Sequence, residues 1–265
     1  HEGFWRHLIL REGTATGEIL VGLVVASHPD EQAQVARVAK ALKSHMEDAG
    51  GPVVGLVVLK NDGVADVARG DVLALFGRPY FFDELKGVRF KLSLSSFFQT
   101  NTVGASLLYD TVGDALGDAH GKLFDLYCGA GSIGLYLADR FDEIVGVELV
   151  EAAVLDAREN AKRNGVTNTK YVAADMSKAL EVVSEASGAR AIVVDPPRVG
   201  LHPKVSEALA NATADVLIYV ACKPRSLGRD ADILAQGGWV LTDLWPVDLF
   251  PQTGHVELVA RFIRP

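Results

Sequence analysis

Residues 122–165, KLFDLYCGAGSIGLYLADRFDEIVGVELVEAAVLDARENAKRNG, decide the fold. KLFDLYC reads as a strand, SIGLYLADR as a helix, EIVGVEL as a second strand, and VEAAVLDARENAKRNG as a helix ending in an Asn-Gly pair of the kind that closes one. The turn between the first strand and helix fits G-x-G-x-x-G at Gly129, Gly131 and Gly134, where missing side chains let a ligand approach the backbone. Glu148 ends the next strand, 17 residues after Gly131, where a carboxylate accepts hydrogen bonds from ribose hydroxyls. Together they point to an adenosine-containing cofactor rather than a bare packing turn. NAD and S-adenosylmethionine both fit this pattern.

The alternation continues downstream. TKYVAAD, AIVVDPP, VLIYVAC, GWVLTDLWPVD and HVELVARFI read as strands, with helical stretches between the first four. Such a pattern predicts a largely parallel sheet with helices on both faces, whose ligands sit outside the carboxyl ends of the strands. Two features favour the methyl donor over NAD. Asp125 lies in the first strand close to the loop, and the last two strands follow one another without a helix, a closing hairpin more typical of methyltransferase sheets than of dehydrogenases. Asp175, at the end of VAAD, either accepts a hydrogen bond from an adenine amino group or caps a helix.

Upstream, the chain reads as a smaller α/β unit over residues 1–92. FWRHLILREG and GEILVGLVVASH suit a hairpin, and DEQAQVARVAKALKSHMEDAG has Val35, Val38, Ala39 and Leu42 at helical spacing. VVGLVVLKNDG returns to strand and meets an Asp-Gly turn, and DVLALFG and GVRFKLS read as further strands. The second domain then runs over 93–265. It opens with SSFFQTNTVGASLLYDTVGDALG, a linker that becomes a helix with an apolar face at Leu107, Leu108, Val112 and Leu116.

Composition excludes several classes. Two cysteines cannot build a disulfide framework or a four-cysteine metal or iron-sulfur site, and they point to a reducing cytoplasm. Apolar runs such as ILVGLVVA fall short of the roughly 18 residues of a membrane span. A formal charge of -8 argues against indiscriminate polyanion binding but not against a local basic patch. The chain begins with His rather than Met, as a fragment or a processed form would.

Three segments carry chemistry. DPPRVGL places Asp195 at a strand end before two prolines whose backbone offers no donors, and Arg198 after them suits phosphate or base-edge contacts. As a plain alternative, Asp-Pro-Pro is a sharp strand exit. YVACKPRSLGRD puts Cys222 at the end of the fifth strand, followed by Lys223, Arg225 and Arg229, cations that favour a thiolate. Beside a methyl donor, a thiolate that adds to carbon 6 of a pyrimidine turns carbon 5 into a nucleophile. Cys128, inside the Gly-rich turn, reads as a small packed residue. In FPQTGHVELV, Glu257 interrupts an apolar strand; it is either a solvated-face residue or a half-buried base that removes the carbon-5 proton.

SSFFQTNT, DLYCGAGSIGLYLA, VGVELVEAAVLDARENAKRNG, DPPRVGL, YVACKPRSLGRD and FPQTGHVELV together closely resemble the bacterial RNA uracil-5-methyltransferases that use S-adenosylmethionine. The resemblance is clearest from about residue 95 onward and extends more loosely through RHLILREG and FFDELKGVRFKLS. It implies a Rossmann-like class I methyltransferase sheet with a smaller N-terminal α/β domain. By the same resemblance Cys222 is the nucleophile and Glu257 the base, while Gln99, Tyr127, Glu148, Asp175 and Asp195 contact cofactor or uracil. Gly129 and Gly131 shape the cofactor loop with Asp125. Ser132 stands where several relatives place an asparagine on the cofactor. Some relatives carry an N-terminal oligonucleotide-binding barrel and a four-cysteine iron-sulfur cluster; no cluster is expected here.

The expected function is therefore methylation of carbon 5 of a uridine in structured RNA by a cytoplasmic monomer that meets no membrane and needs no metal. SFFQTNTVGAS points to 23S ribosomal RNA over transfer RNA. Arg198, Lys204, Lys223, Arg225 and Arg229 are the candidate phosphate contacts. The alternatives are a transfer-RNA uridine enzyme, a purine amino methyltransferase that leaves Cys222 idle, a cytosine-5 enzyme, and a non-catalytic RNA-binding protein.

Overall fold

The computed structural model describes residues 3–64, 68–175 and 189–265, which divide into two compact units. The first comprises His1–Glu84 with Arg89–Ser96. Strands β1 (Trp5–Glu12), β2 (Ile19–Val25), β3 (Val53–Lys60) and β4 (Asp71–Gly77) form one sheet in that order. β2 and β3 are parallel, and the other pairs are antiparallel. Helix α1 (Glu31–Leu42) makes the crossover that a parallel pair requires. Its Val35 is buried in a cluster with Val21, Val25, Leu56 and Val58, and Val38, Ala39 and Leu42 pack against that cluster, as their spacing predicts.

Two details differ from the sequence reading. Asp62-Gly63 does not close a tight hairpin, because residues 61–70 separate β3 from β4. The Asp62 carboxylate instead accepts bonds from the Ser27 amide and hydroxyl, both at 2.6 Å. YFFDEL forms an unanticipated strand, β5 (Tyr80–Leu85), which pairs with β6 (Val88–Ser93) through a turn where Lys86 and Gly87 are both left-handed.

The second unit comprises Leu85–Val88 and Phe97–Pro265. Its elements are α2 (Thr102–Leu116), β7 (Lys122–Leu126), α3 (Ser132–Tyr136), β8 (Glu143–Glu148), α4 (Glu151–Arg163), β9 (Thr169–Ala173), β10 (Ala189–Val194), α5 (Pro203–Asn211), β11 (Val216–Ala221), α6 (Pro224–Gln236), β12 (Val240–Val247) and β13 (Glu257–Ile263). The helical stretch expected between Asp175 and β10 falls outside the described residues. The sheet order is β12-β13-β11-β10-β7-β8-β9. β9 through β11 run parallel, while β13 enters antiparallel to β11 and β12 antiparallel to β13.

Side chains alternate between the faces of a strand. One face carries Phe124, Leu126, Ile192, Val194, Leu217, Tyr219, Ala260 and Phe262, which bury against Val205 and Leu209 of α5 and Leu227 and Leu234 of α6. The opposite face carries Leu123, Val193, Ile218, Val220 and Val259, which are equally buried; α2 packs on β11 and β13. Asn101 caps α2, accepting the Gly104 amide at 2.9 Å and donating to the Leu249 carbonyl at 2.9 Å. Leu108, Val112 and Leu116 of α2 are buried, but Leu107 is 56% exposed. The buried stripe runs through Ala105, Leu108, Tyr109, Val112 and Leu116, and Leu107 lies one helical step off it.

Candidate active site

A cavity of about 920 Å³ opens at the carboxyl ends of the parallel strands. Residues just after β7, β8, β9, β10 and β11 line it: Tyr127 to Gly129, Glu148 to Val150, Asp175, Asp195 to Arg198, and Cys222. Because β13 runs the other way, it delivers its first residue, Glu257, to the same mouth. Gln99 and Ser132 complete the set of expected residues on its wall.

The Gly-rich turn is bent by its own backbone. Tyr127, Gly129 and Gly131 all have positive φ, 64°, 53° and 80°. The amides of Tyr127 and Cys128 both donate to the Val147 carbonyl, at 2.9 and 3.2 Å, so the turn hangs on the neighbouring strand. Gly129 faces open space, and a side chain there would project where a ligand has to approach. Gly131 does not line the cavity; its missing Cβ would sit 2.7 Å from the Tyr171 hydroxyl oxygen, so this glycine serves packing beneath the loop.

Asp125 also departs from its expected place. It is fully buried, it does not line the cavity, and its Oδ2 accepts the Gly134 amide at 3.0 Å. Burial raises its carboxyl to about 7, opposed by the Gly134 bond and helped by the negative Glu148. Asp125 therefore braces the start of α3 from below, because alternation along β7 turns it under the loop instead of toward the cavity. Cys128 is buried as expected. Burial and the carboxylates of Asp125 and Glu148 hold its thiol well above the ordinary range.

Glu148 accepts the Gly129 amide on Oε2 at 3.2 Å and the Val150 amide on Oε1 at 2.9 Å. Each carboxylate oxygen keeps a second lone pair, so hydroxyl donors in the cavity still find acceptors there. Ser132 accepts a bond from Tyr109 at 3.0 Å, and burial pushes that tyrosine's pKa above its usual value. Leu149 and Val150 stay exposed beside Glu148, an apolar wall suited to the flat face of an aromatic ring. A cavity-lining carboxylate, an open glycine and an adjoining apolar wall fit a cofactor that contains adenosine.

At the other end of the cavity stand Cys222, Glu257, Asp195 and Arg198. Glu257 is 5% exposed; burial raises its carboxyl, and Arg198 opposes the rise. Burial, then Glu257 and Asp125, raise Asp195 to about 8. The Cys222 thiol is raised as well, by burial first, then by Glu257 and Asp195, with Arg198 opposing.

This corrects the expectation that Lys223, Arg225 and Arg229 hold the thiolate down. Lys223 and Arg225 are exposed and do not line the cavity, and neither does Lys204. The Arg229 guanidinium is engaged by Asp230 and by the carbonyls of Val199 and Leu201. Of the five expected basic contacts, Arg198 alone lines the cavity, where its Nη2 lies 3.2 Å from His255 Nδ1. Tyr109, His202, Phe250 and His255 line the cavity without having been anticipated. Tyr109 hides inside an apolar stripe and gives no sequence signal, whereas His255, two residues before Glu257 on an alternating stretch, carries one.

Among the described residues, no His, Cys, Asp or Glu cluster is arranged to hold a metal ion, and no helix is long and apolar enough to cross a membrane. Comparison with known proteins defines the lineage. The profile of the tRNA (uracil-5-)-methyltransferase family matches residues 83–261. An uncharacterised RNA methyltransferase of Clostridium tetani is 38% identical over 266 residues, covering 99% of this chain and 57% of the relative. One from Caldanaerobacter subterraneus is also 38% identical, over 98% of this chain and 57% of its own length. The chain thus spans a little over half the length of these curated relatives. The crystal structure of Pyrococcus abyssi tRNA (uracil-54, C5)-methyltransferase in complex with S-adenosyl-L-homocysteine matches 99% of this chain and 60% of its own, with a TM-score of 0.78 and 30% identity. A putative S-adenosylmethionine-dependent methyltransferase from Streptococcus mutans, 12% identical with a TM-score of 0.56 over 92% of this chain and 69% of its own, shares the class I methyltransferase fold alone. Motif order, site geometry and these matches agree: the chain belongs to the tRNA (uracil-5-)-methyltransferase family.

Proposed function

We propose that the protein transfers a methyl group from S-adenosylmethionine to carbon 5 of a uridine in RNA. The observation that carries this reading is one cavity holding both the Gly129–Glu148 cradle and the Cys222–Glu257 pair. When bound, the cofactor supplies an electrophilic methyl on sulfur. Glu148, Asp175, Ser132, Tyr127 and the open backbone at Gly129 hold it, with Asp125 and Gly131 shaping the loop from beneath. Gln99 and Asp195 orient the uracil.

Cys222, as thiolate, adds to carbon 6, and the electron pair of the 5,6 double bond moves to carbon 5 and its conjugated carbonyl. Carbon 5 would then take the methyl group, whose bond to the sulfonium sulfur breaks with its electron pair left on a neutral thioether. Glu257 then removes the proton from carbon 5, the double bond re-forms, and the Cys222 thiolate leaves. A carboxylate raised by burial is the stronger base for that step. Arg198, Lys204, Lys223 and Arg225 meet phosphates near the mouth, and the N-terminal domain expected over residues 1–92, which corresponds to the first compact unit, faces RNA. The protein works as a cytoplasmic monomer.

The SFFQTNTVGAS segment, whose Phe97 to Thr100 line the cavity, favours 23S ribosomal RNA. A second reading, transfer RNA, is supported by the likeness to the Pyrococcus abyssi enzyme. Incubation with tritiated cofactor and separate pools of unmodified ribosomal and transfer RNA, followed by nucleoside analysis, decides between them. The expected label is 5-methyluridine from ribosomal RNA. Label in transfer RNA selects the second reading, and label only in a methylated purine overturns both.

A further inference from the structure

The segment from Asp195 to Leu201 carries two cavity residues, Asp195 and Arg198, yet has little to hold itself by. Pro196 and Pro197 lack amide donors. Among the described backbone bonds, the Asp195 amide reaches Leu126 at 3.3 Å and a single turn joins the Gly200 amide to the Pro197 carbonyl at 2.7 Å. Four further groups are met by one face of α6, the helix that starts two residues after Cys222. Ser226 donates to the Arg198 carbonyl at 2.8 Å. Arg229 donates to the carbonyls of Val199 and Leu201, at 3.0 and 3.3 Å. Asp230 accepts the Leu201 amide at 2.8 Å.

Asp230 is completely buried, and three further contacts fix its carboxylate. The Tyr219 hydroxyl of β11 donates at 2.7 Å, and Arg229 donates through Nε at 2.9 Å and Nη2 at 2.7 Å. Ser226, Arg229 and Asp230 stand at i, i+3 and i+4, so they share a helix face. Gly200 seats the loop on it: with φ at +83°, an added Cβ would lie 2.5 Å from Arg229 Nη2 and 2.6 Å from Asp230 Oδ2.

Resting on the reaction proposed above, we infer that Ser226, Arg229 and Asp230 are positioning residues that hold Asp195 and Arg198 in fixed relation to Cys222, and that Arg229 acts in this clamp instead of on RNA phosphate. The same helix is anchored to the strand end that presents the thiol, so loop and nucleophile share one support. Misplacing reacting groups by about 1 Å costs on the order of a hundredfold in rate.

Arg229→Lys separates the two roles. A lysine keeps a phosphate contact as a point charge but cannot supply the planar fork that spans Asp230 and two carbonyls. The expected result for Arg229→Lys and Arg229→Gln alike is a fall in kcat of about ten- to hundredfold, with the RNA KM within about twofold and the dependence of RNA affinity on salt unchanged. Arg225→Gln should do the reverse, weakening RNA binding and lowering the salt slope by about one. Ser226→Ala, which leaves the Arg229–Asp230 pair in place, should lower kcat in the same pattern and decides the matter if the Arg229 variants do not fold. Full kcat in Arg229→Lys, or a salt slope lowered by about one in Arg229→Gln, overturns the inference. Amide exchange at Gly200 and Leu201 gives a readout free of the reaction. Faster exchange in Ser226→Ala supports the clamp even if the wild type methylates no RNA, an outcome that would sink the proposed function alone; unchanged exchange removes the clamp.

Discussion

Cys222, the residue that follows β11, and Glu257, the first residue of β13, line one cavity wall where the antiparallel pairing of the two strands ends at Ala221 and Leu258. Burial raises the Cys222 thiol, and the two residues are close enough for the Glu257 carboxylate to raise it further. A pyrimidine held at that wall would meet a sulfur and a carboxylate together, as the proposed addition at carbon 6 and proton removal from carbon 5 require.

Separating nucleophile from base is therefore a matter of trapping. Glu257→Gln should stall after methyl transfer, because elimination of the thiolate requires loss of the carbon-5 proton while addition does not. Denaturing gels of labelled RNA should show a slow, protease-sensitive band with Glu257→Gln and none with Cys222→Ala. Normal turnover by Glu257→Gln would assign the base elsewhere.

Glu148 should dominate cofactor affinity. Removing a charged acceptor costs about 1.5–3 kcal/mol, so Glu148→Ala is expected to weaken S-adenosylmethionine binding by roughly ten- to a hundredfold in calorimetry. The variant also releases the amides of Gly129 and Val150, which should appear as faster exchange at both. NAD should not bind.

The raised Cys222 thiol predicts a pH profile. Its reaction with iodoacetamide in the free protein should climb with pH and reach half its maximum above the pKa of about 8.5 typical of a free thiol. Glu257→Gln removes a neighbouring negative charge and should move the midpoint down. Cys222→Ala gives the background from buried Cys128. An unmoved midpoint in Glu257→Gln would mean that the two groups do not sense each other.

Asp125 sets a stability trend. Its folded pKa of about 7 lies above the ordinary 3.8, so between those values the folded state binds the proton and the unfolded state does not. The proton's stabilising contribution is complete below about pH 4 and is lost as pH rises through about 7. Asp125→Asn keeps an acceptor for the Gly134 amide and carries no charge. Its thermal midpoint relative to wild type should thus improve by several degrees from pH 5 to pH 8. A constant difference across that range would show Asp125 ionised throughout.

The parallel core was legible because KLFDLYCGAGSIG joins a strand period, a glycine turn and a helix period within a few residues. β5 was not, since YFFDEL keeps no clean alternation and its turn places a lysine, Lys86, at positive φ before Gly87. The site's charges were visible one by one but not their neighbours. Lys223, Arg225 and Arg229 crowd Cys222 in sequence, whereas Glu257 and Asp195, distant in the chain, crowd it in space. Which arginine is free for RNA depends on carbonyls that no residue pattern reveals, as Arg229 shows.

The insertion of β13 between β11 and β12 also fixes an order of assembly. A ribosome releases β7 to β11 first, and with them Gly129 and Glu148, while β12 emerges before β13, the strand it pairs with among the described residues. β11 keeps an open edge, and Cys222 lacks the neighbouring Glu257 carboxylate, until residues 257–263 fill the gap. In the proposed reaction, synthesis thereby supplies the base last: a nascent chain would hold its cofactor cradle and its thiol before it could release a methylated product.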